Sequence, residues 1–347
     1  MCGIVGYAGN IETACGKPLE VCLQGLERLE YRGYDSAGVA LTAPGMDKVV
    51  VRKKAGRLKN LVEDIERKPM PLATVGIGHT RWATHGAPSD VNSHPQVSEG
   101  GRFAVVHNGI IENYLELREF LQQKGVQFAS QTDTEVVAQL MEYCMGLPEV
   151  ETVSDALYMV LHRIEGAYAL GILCSDDPDH VYAARKDAPL LIGFGEGENF
   201  IASDVTALVK YTRDVVYMED GEVAVLGRDG VQVYNAMELP IEKEHHHIDW
   251  EISAAEKGGY EHFMLKEIME EPEALRRAIL PRIKDGAVVF DGLMLDSSRY
   301  DCIKIIACGS SYHVGMVGKY NLEKLTRMPV EVILASEFRY CSPIVNE

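Results

Sequence analysis

The sequence lacks long apolar runs and has a deficit of basic residues. Its 347 residues include 34 Lys and Arg against 52 Asp and Glu, which gives a formal net charge of -18. No apolar stretch approaches the roughly 20 residues that a membrane-spanning helix needs. No basic run is available to neutralise a row of phosphates. We therefore predict neither a membrane protein nor a nucleic-acid partner.

Paired cysteines and an export signal are also lacking. The N-terminal residues MCGIVGYAG contain neither a basic start nor an apolar signal core, which favours a cytoplasmic protein. No C-x-x-C pair occurs, so we interpret most of the cysteines as reduced core residues. The eight cysteines are Cys2, Cys15, Cys22, Cys144, Cys174, Cys302, Cys308 and Cys341.

The length suggests about two domains of roughly 150 residues each. Residues 1–240 mix helices with many short strands that do not alternate regularly, which predicts an α+β arrangement of sheets between helical layers. After Glu238 we predict a linker and leading helix over 241–286, then a partial α/β domain over 287–347. Adjacent histidines do not converge on one ion, so we interpret His245–His247 as solvated linker rather than a metal site.

Two predicted strands end in polar residues. FAVVHNGIIENY predicts a strand that delivers His107, Asn108 and Gly109 into a turn, because Asn-Gly is a common turn dipeptide. Near the C-terminus, IIACGSSYHVG predicts a strand, a Gly-Ser-Ser loop and a helix. Loop N–H groups and a helix N-terminus in this order can hold an anion.

Cys2 follows the initiator methionine, which gives it a chemistry that the other cysteines lack. Once Met1 is removed, Cys2 carries both a thiol and a free α-amine. An α-amine with a pKa of about 8 can take the thiol proton and make a nucleophile without a separate histidine. The run GIVGYAG predicts a buried strand that would fix this terminus in place. Many chains begin Met-Cys by chance, so other residues must support the interpretation.

Such support comes from three further segments. Arg81 in GHTRWATHG can bind an α-carboxylate through two hydrogen bonds, and Asp133 in SQTDTE can bind an α-ammonium. Asn108 and the Gly109 N–H can stabilise the oxyanion formed when sulfur attacks a carbonyl. Each residue alone is commonly structural, but together they predict a site that opens the side-chain amide of glutamine.

The motifs MCGIVGY, LEYRGYDSAG, GHTRWATHG, HNGIIENY and QTDTE resemble the class II, N-terminal-nucleophile glutamine amidotransferases. Tyr31, Tyr34 and Trp82 resemble the branch that aminates fructose 6-phosphate more than the purine-pathway branch. GYEHFMLKEI and ACGSSYHVG extend the resemblance along essentially the whole chain. It implies a four-layer αββα sandwich followed by an incomplete α/β sugar-isomerase (SIS) domain.

The resemblance also implies roles for individual residues. Cys2 would form a γ-glutamyl thioester, with Asn108 and Gly109 as the oxyanion hole, and Arg32 would help to orient the site. The substrates would be glutamine and fructose 6-phosphate, and Trp82 would gate ammonia. No metal or organic cofactor is implied, and a homodimer is possible. The residues implied to hold glutamine are Arg81, Trp82, Thr84, His85 and Asp133, and those that begin the sugar-phosphate site are Gly309, Ser310 and Ser311.

Family members are longer than this chain and carry two sugar-isomerase subdomains. We therefore predict that the chain hydrolyses glutamine but does not complete sugar amination. Two alternatives are a stand-alone glutaminase or other class II amidotransferase, and a non-catalytic binding chain. The YRGYDS and CGSSYH segments argue against the first alternative, and the presence of Cys2, Asn108 and Gly109 argues against the second.

Overall fold

The computed structural model describes most of the chain in two compact units, Met1–Lys266 and Glu267–Glu347. No helix in the described part of the chain combines the length and apolarity needed to cross a membrane. The described residues are 2–9, 16–83, 86–249, 260, 262–284, 286–289, 300–341 and 343.

The first unit contains two mainly antiparallel sheets. Its strands are β1 (Gly3–Gly9), β2 (Ser36–Thr42), β3 (Val50–Ala55), β4 (Val75–Arg81), β5 (Gln96–Val97), β6 (Phe103–Ile111), β7 (Gly166–Cys174), β8 (Asp177–Lys186), β9 (Leu191–Gly195), β10 (Glu198–Ala202), β11 (Asp214–Tyr217), β12 (Val223–Gly227), β13 (Gly230–Tyr234), β14 (Pro240–Ile241) and β15 (His246–His247). One sheet has the order β15-β11-β9-β10-β1-β4-β2-β3, and the other has the order β14-β13-β12-β8-β7-β6-β5.

Helices cover the outer face of each sheet. The first-unit helices are α1 (Lys17–Leu29), α2 (Leu58–Arg67), α3 (Tyr114–Gln123), α4 (Thr134–Met145) and α5 (Val153–Leu161), with a short 3₁₀ helix at Val205–Ala207. One apolar core lies between the two sheets, a second lies under α1 and α2, and a third lies under α3 to α5. The layers are therefore αββα, and the predicted α+β sandwich is confirmed.

Strand β1 lies near the middle of the eight-stranded sheet and is buried along its whole length. Its side chains alternate as a strand requires. Ile4 and Ala8 join the core between the sheets, while Val5 and Tyr7 join the core beneath α1. A strand buried on both faces and paired on both edges fixes the residue before it, which is Cys2.

The prediction of a turn at His107, Asn108 and Gly109 was wrong. Strand β6 continues to Ile111, and Asn108 and Gly109 pair with residues of β7. Gly109 has φ 134°, a conformation that suits glycine. A Cβ there would approach the Ala167 carbonyl oxygen to 1.9 Å. The pairing with β7, which is distant in sequence, thus outweighs the local turn preference of Asn-Gly.

The segment after residue 240 also differs from the prediction. Two of its three histidines form the edge strand β15, which pairs with Asp214 and Val215 of β11. His245–His247 are exposed, as expected of a solvated segment, but Ile248 just beyond them is buried under α1 and α2. The linker interpretation therefore stays a prediction, to which the structure adds a two-residue edge strand at His246 and His247. The domain bounds 1–240, 241–286 and 287–347 stay predictions.

The second unit contains a small parallel sheet. Helix α6 (Phe263–Ile279) begins before the division between the units, and it is followed by a 3₁₀ turn at Leu280–Arg282. The remaining elements are β16 (Ile283–Lys284), β17 (Ala287–Val288), β18 (Ile303–Ala307), α7 (Gly309–Thr326), β19 (Val330–Leu334) and α8 (Ala335–Tyr340). Strands β18 and β19 pair in parallel across the intervening α7, which makes a βαβ unit.

Candidate functional site

The site is built where the start of β1 meets the end of β4. These strands pair with Gly3 opposite Thr80, so Cys2 comes beside Arg81 and Trp82. The Trp82 N–H donates a hydrogen bond to Cys2 Sγ at 3.1 Å. The predicted nucleophile and the GHTRWATHG motif therefore lie together.

Asn108 reaches the same place from the other sheet. Its Nδ2 donates to the main-chain oxygen of Cys2 at 3.0 Å. Gly109 follows directly along β6, so the predicted oxyanion residues lie next to the predicted nucleophile. The two halves of the site thus come from different sheets, and the packing of the sheets sets the distance between them.

The Cys2 thiol lies in a largely buried position. Burial raises the pKa of Cys2 above its ordinary value of 9.0, although the hydrogen bond from Trp82 and the positive charge of Arg81 lower it. At neutral pH the thiol keeps its proton, so a base must remove it before sulfur can attack a carbonyl.

Arg81 and Asp133 supply a buried cation and a buried carboxylate. Their exposed fractions are 3% and 4%. Burial lowers the pKa of Arg81, while Asp35, Cys2 and Asp133 raise it, and a guanidinium remains charged throughout the physiological range. Arg81 Nη2 donates to the Gly86 oxygen at 3.4 Å, and Asp133 Oδ2 accepts the Ile111 N–H at 2.9 Å.

Trp82 and Tyr34 form an exposed aromatic pair beside the nucleophile. Their ring centroids are 5.4 Å apart in an edge-to-face arrangement, and about half of each side chain is exposed. Asp35 accepts a short hydrogen bond from the Ala83 N–H and so connects the segment after α1 to the end of β4. Two predicted glutamine ligands that follow, Thr84 and His85, lie outside the described residues.

Arg32 contacts the segment that follows β10. Its Nη1 donates to Asp204 Oδ2 at 2.7 Å and to the Ser203 oxygen at 3.5 Å. Ser203 Oγ in turn accepts the Ile4 N–H at 2.9 Å. Arg32 is thus connected through Ser203 to β1, the strand that follows Cys2.

The predicted sugar-phosphate residues lie in the second unit. Gly309, Ser310 and Ser311 form the first turn of α7 rather than a loop before it, so the loop prediction was wrong. A single residue, Cys308, separates β18 from the helix, and Gly309 adopts φ 58°. No cluster of three or more histidine, cysteine or acidic side chains suited to a metal ion occurs among the described residues.

Two buried histidines, His79 and His107, also lie at the site, although the sequence predicted a role for neither of them. His79 Nε2 lies 3.0 Å from Asn108 Oδ1 and 3.0 Å from the His107 main-chain oxygen. His107 Nδ1 lies 2.9 Å from Thr134 Oγ1 and 3.9 Å from Asp133 Oδ2. The alternation of β4 could have identified His79, since residues 79 and 81 share one face of a strand.

Known domain families match two parts of the chain. A glutamine amidotransferase domain matches residues 79–210, and a SIS domain matches residues 298–346. A glutamine--fructose-6-phosphate aminotransferase [isomerizing] of Caldanaerobacter subterraneus subsp. tengcongensis is 52% identical over 351 residues. That alignment covers 100% of this chain and 56% of the relative. The chain therefore spans about half the length of such relatives.

Two solved structures resemble the chain. One, titled as the allosteric regulatory enzyme of purine biosynthesis, has a TM-score of 0.56 at 26% identity and covers 68% of this chain and 49% of its own. The other is the glutamine phosphoribosylpyrophosphate amidotransferase of B. subtilis, with a TM-score of 0.58 at 20% identity. It covers 95% of this chain and 65% of its own. Both support the sandwich fold of the N-terminal-nucleophile amidotransferases.

Proposed function

The chain belongs to the glutamine–fructose-6-phosphate aminotransferase (isomerizing) family, and on that premise we propose that it carries out the glutamine-hydrolysing half of the family's reaction. The observation that supports the proposal most directly is the pair of hydrogen bonds at Cys2. Cys2 receives a hydrogen bond on its sulfur from the Trp82 N–H and another on its main-chain oxygen from Asn108 Nδ2. A cysteine at position 2 is thereby held beside a group that can stabilise an oxyanion.

Substrate recognition is proposed to use the two buried charges. Arg81 would bind the α-carboxylate of glutamine and Asp133 its α-ammonium, each through charge-assisted hydrogen bonds. Glutamine bound in this way would direct its side-chain amide toward Cys2. Thr84 and His85 would complete the set, and the exposed Trp82 would cover the mouth of the site and gate ammonia.

The chemical steps follow from the groups at Cys2. After Met1 is removed, the neutral α-amine of Cys2 takes the Sγ proton, and the thiolate attacks the side-chain carbonyl carbon of glutamine. Asn108 Nδ2 and the Gly109 N–H would donate to the resulting oxyanion. The carbon–nitrogen bond then breaks as the α-ammonium returns its proton, which releases ammonia and leaves a thioester. Water cleaves the thioester to give glutamate and the free thiol.

The remaining half of the family's reaction is proposed for the whole protein. Ammonia would be transferred to fructose 6-phosphate, and Gly309, Ser310 and Ser311 at the start of α7 would form part of the sugar-phosphate site. We also propose that the protein works in the cytoplasm, because free and exposed Cys302, Cys308 and Cys341 suit a reducing compartment. Formation of a homodimer is proposed on the family resemblance.

The test is release of glutamate from glutamine by the purified chain. We expect steady release that disappears in Cys2→Ala, because no other residue supplies both thiol and amine at this position. Cys341→Ser, which alters an exposed cysteine of the second unit, is the matched control and is expected to retain the activity of the unaltered chain.

Two results would contradict the proposal. The first is release that persists in Cys2→Ala, and the second is no release from a chain whose intact mass shows that Met1 has been removed. Fructose 6-phosphate is added in a parallel reaction, and we expect no glucosamine 6-phosphate from this chain alone. Formation of the amino sugar would show that the chain completes the whole reaction.

A further inference from the structure

His79 makes a hydrogen bond whose direction can be deduced from its partners. It lies on β4, two residues before Arg81, and its side chain is completely buried. Its Nε2 is 3.0 Å from the His107 main-chain oxygen and 3.0 Å from an atom of the Asn108 amide. A main-chain carbonyl oxygen can only accept a hydrogen bond. His79 must therefore carry a proton on Nε2.

This proton determines how the Asn108 amide is turned. If the amide nitrogen faced the ring, two N–H donors would point at each other, so Asn108 must present Oδ1 to His79. The opposite end of the amide, Nδ2, then points toward Cys2 and donates to its main-chain oxygen at 3.0 Å. His79, on the other sheet, thus fixes the orientation of the amide by donating to Oδ1, the end that faces away from Cys2.

The surroundings keep the His79 ring neutral and in place. Its ring lies against that of His94, with centroids 4.4 Å apart and planes tilted by 33°. Burial is the main reason that the pKa of His79 is lowered to about 3; the hydrogen bonds to Asn108 and to the His107 main chain oppose this shift, and electrostatic repulsion from His107 and Arg81 adds to it. His79 Nδ1 makes no hydrogen bond with any residue in the described part of the chain. The ring therefore offers a single donor, and both of its acceptors lie on β6.

We propose that His79 is a positioning residue for glutamine hydrolysis, whose Nε2–H holds the Asn108 amide with Nδ2 directed at the place where the oxyanion forms. The inference rests on the proposed function and adds to it a residue outside the predicted set. An amide turned the other way would present Oδ1 to the oxyanion and repel the developing charge.

The first experiment compares His79→Gln with His79→Asn and His79→Phe. The amide nitrogen of Gln lies as many bonds from the backbone as Nε2 of His79 does. The amide nitrogen of Asn reaches only as far as Nδ1 of His79, an atom that makes no hydrogen bond in the described part of the chain. We expect His79→Gln to retain most of kcat for glutamate release. Asn and Phe should each lower kcat about 10- to 100-fold, as expected of a misplaced catalytic group. KM for glutamine should change less than about threefold, since Arg81 and Asp133 are unaltered.

A second measurement distinguishes positioning through Asn108 from a general structural effect. His79→Phe is combined with Asn108→Ala, and the kcat values are compared as a double-mutant cycle. If His79 acts through the amide, His79→Phe lowers kcat no further once Asn108 is alanine. Three results would overturn the proposal. The first is an equal loss of kcat in His79→Gln and His79→Asn, and the second is an effect on KM alone. The third is a loss of kcat in the double variant equal to the sum of the two single losses in free energy.

A third measurement does not depend on activity. The side-chain nitrogen signals of His79 are recorded by NMR on the unaltered chain labelled with ¹⁵N-histidine, with His79→Gln used to assign them. We expect a neutral ring with its proton on Nε2 from pH 5 to 9. A proton on Nδ1, or a charged ring in this range, would refute the inference. If the unaltered chain releases no glutamate, the proposed function fails while this measurement still decides the hydrogen bond.

Discussion

Two buried histidines illustrate how burial controls chemistry at the scale of single residues. The rings of His79 and His94 lie against each other in the first unit, and burial is the main reason that both have lowered pKa values. A strand pattern predicts that such residues are buried but does not show which atoms they face. The pairing of His79 with Asn108 joins residues 29 positions apart on different sheets, so only the fold shows it.

Because His79 and His94 are buried and neutral, we predict that the protein loses stability in acid. In the unfolded chain they bind protons below their ordinary pKa of 6.5, whereas in the folded chain His79 does so only near pH 3. The free energy of unfolding that depends on keeping these rings neutral is therefore fully present above pH 6.5. It is lost as the pH falls from 6.5 toward 3, because the unfolded chain then binds protons that the folded chain does not.

We expect the free energy of unfolding to change with pH by at most about 1.4 kcal/mol per pH unit for each histidine. It is measured by urea unfolding between pH 7 and 4. His94→Gln should reduce the slope, and the exposed His162→Gln is the control that should leave it unchanged. A slope that is the same in His94→Gln as in the unaltered chain would show that burial of this ring does not control the acid response.

At the scale of elements, local patterns predicted the helices well and the strand ends poorly. Helix α4 is an example, because the apolar residues of Thr134–Met145 repeat at helical spacing. The Asn-Gly pair in β6 and the Gly-Ser-Ser segment of α7 were both assigned to loops, where these residues are common. In β6, pairing with a distant strand decided the outcome, and local composition carries no information about such pairing.

The segment over residues 86–96 depends on one buried ammonium group. Lys53 on β3 donates to the main-chain oxygens of Val91, Ser93 and Pro95 at 2.9 to 3.0 Å. Gly86 at the start of this segment accepts a hydrogen bond from Arg81. The segment therefore connects β3 to the predicted glutamine-binding arginine.

We predict that Lys53→Met loosens this segment. Three main-chain oxygens would lose their charged donor, and a cost of about 2–4 kcal/mol is expected because partly buried acceptors would lack partners. Hydrogen exchange of the amides in 86–96 should accelerate, and KM for glutamine should rise. Lys59→Met is the control, since the Lys59 side chain is exposed on α2. Unchanged exchange in Lys53→Met would contradict this role for Lys53.

At the scale of the whole molecule, the first unit has its own set of cores. Three apolar clusters lie within it, and its last buried residue in the described segment up to residue 249 is Ile248. Composition placed the boundary near residue 240 because the following residues are charged and rich in histidine. The edge strand at His246–His247 and the buried Ile248 lie beyond this predicted boundary and still contact the first unit.

We predict that a chain ending at residue 249 unfolds cooperatively and is more stable than one ending at residue 240. The shorter chain loses β15 and the buried Ile248, whose burial contributes about 1.5–3 kcal/mol. Chemical denaturation of both chains provides the comparison. Ile248→Ala in the longer chain is the matched variant, expected to fall between the two. Equal midpoints and slopes for both chains would place the boundary before residue 241.

Glutamine hydrolysis by this chain requires Cys2 to be an N-terminal nucleophile, and one measurement tests this directly. The chain is treated with 6-diazo-5-oxo-L-norleucine, a reactive analogue of glutamine, and its N-terminal peptide is examined by mass spectrometry. We expect that peptide to begin at Cys2, without Met1, and to carry the covalent adduct on Cys2, with protection by added glutamine. An unmodified N-terminal Cys2, or an adduct on another cysteine, would contradict the account.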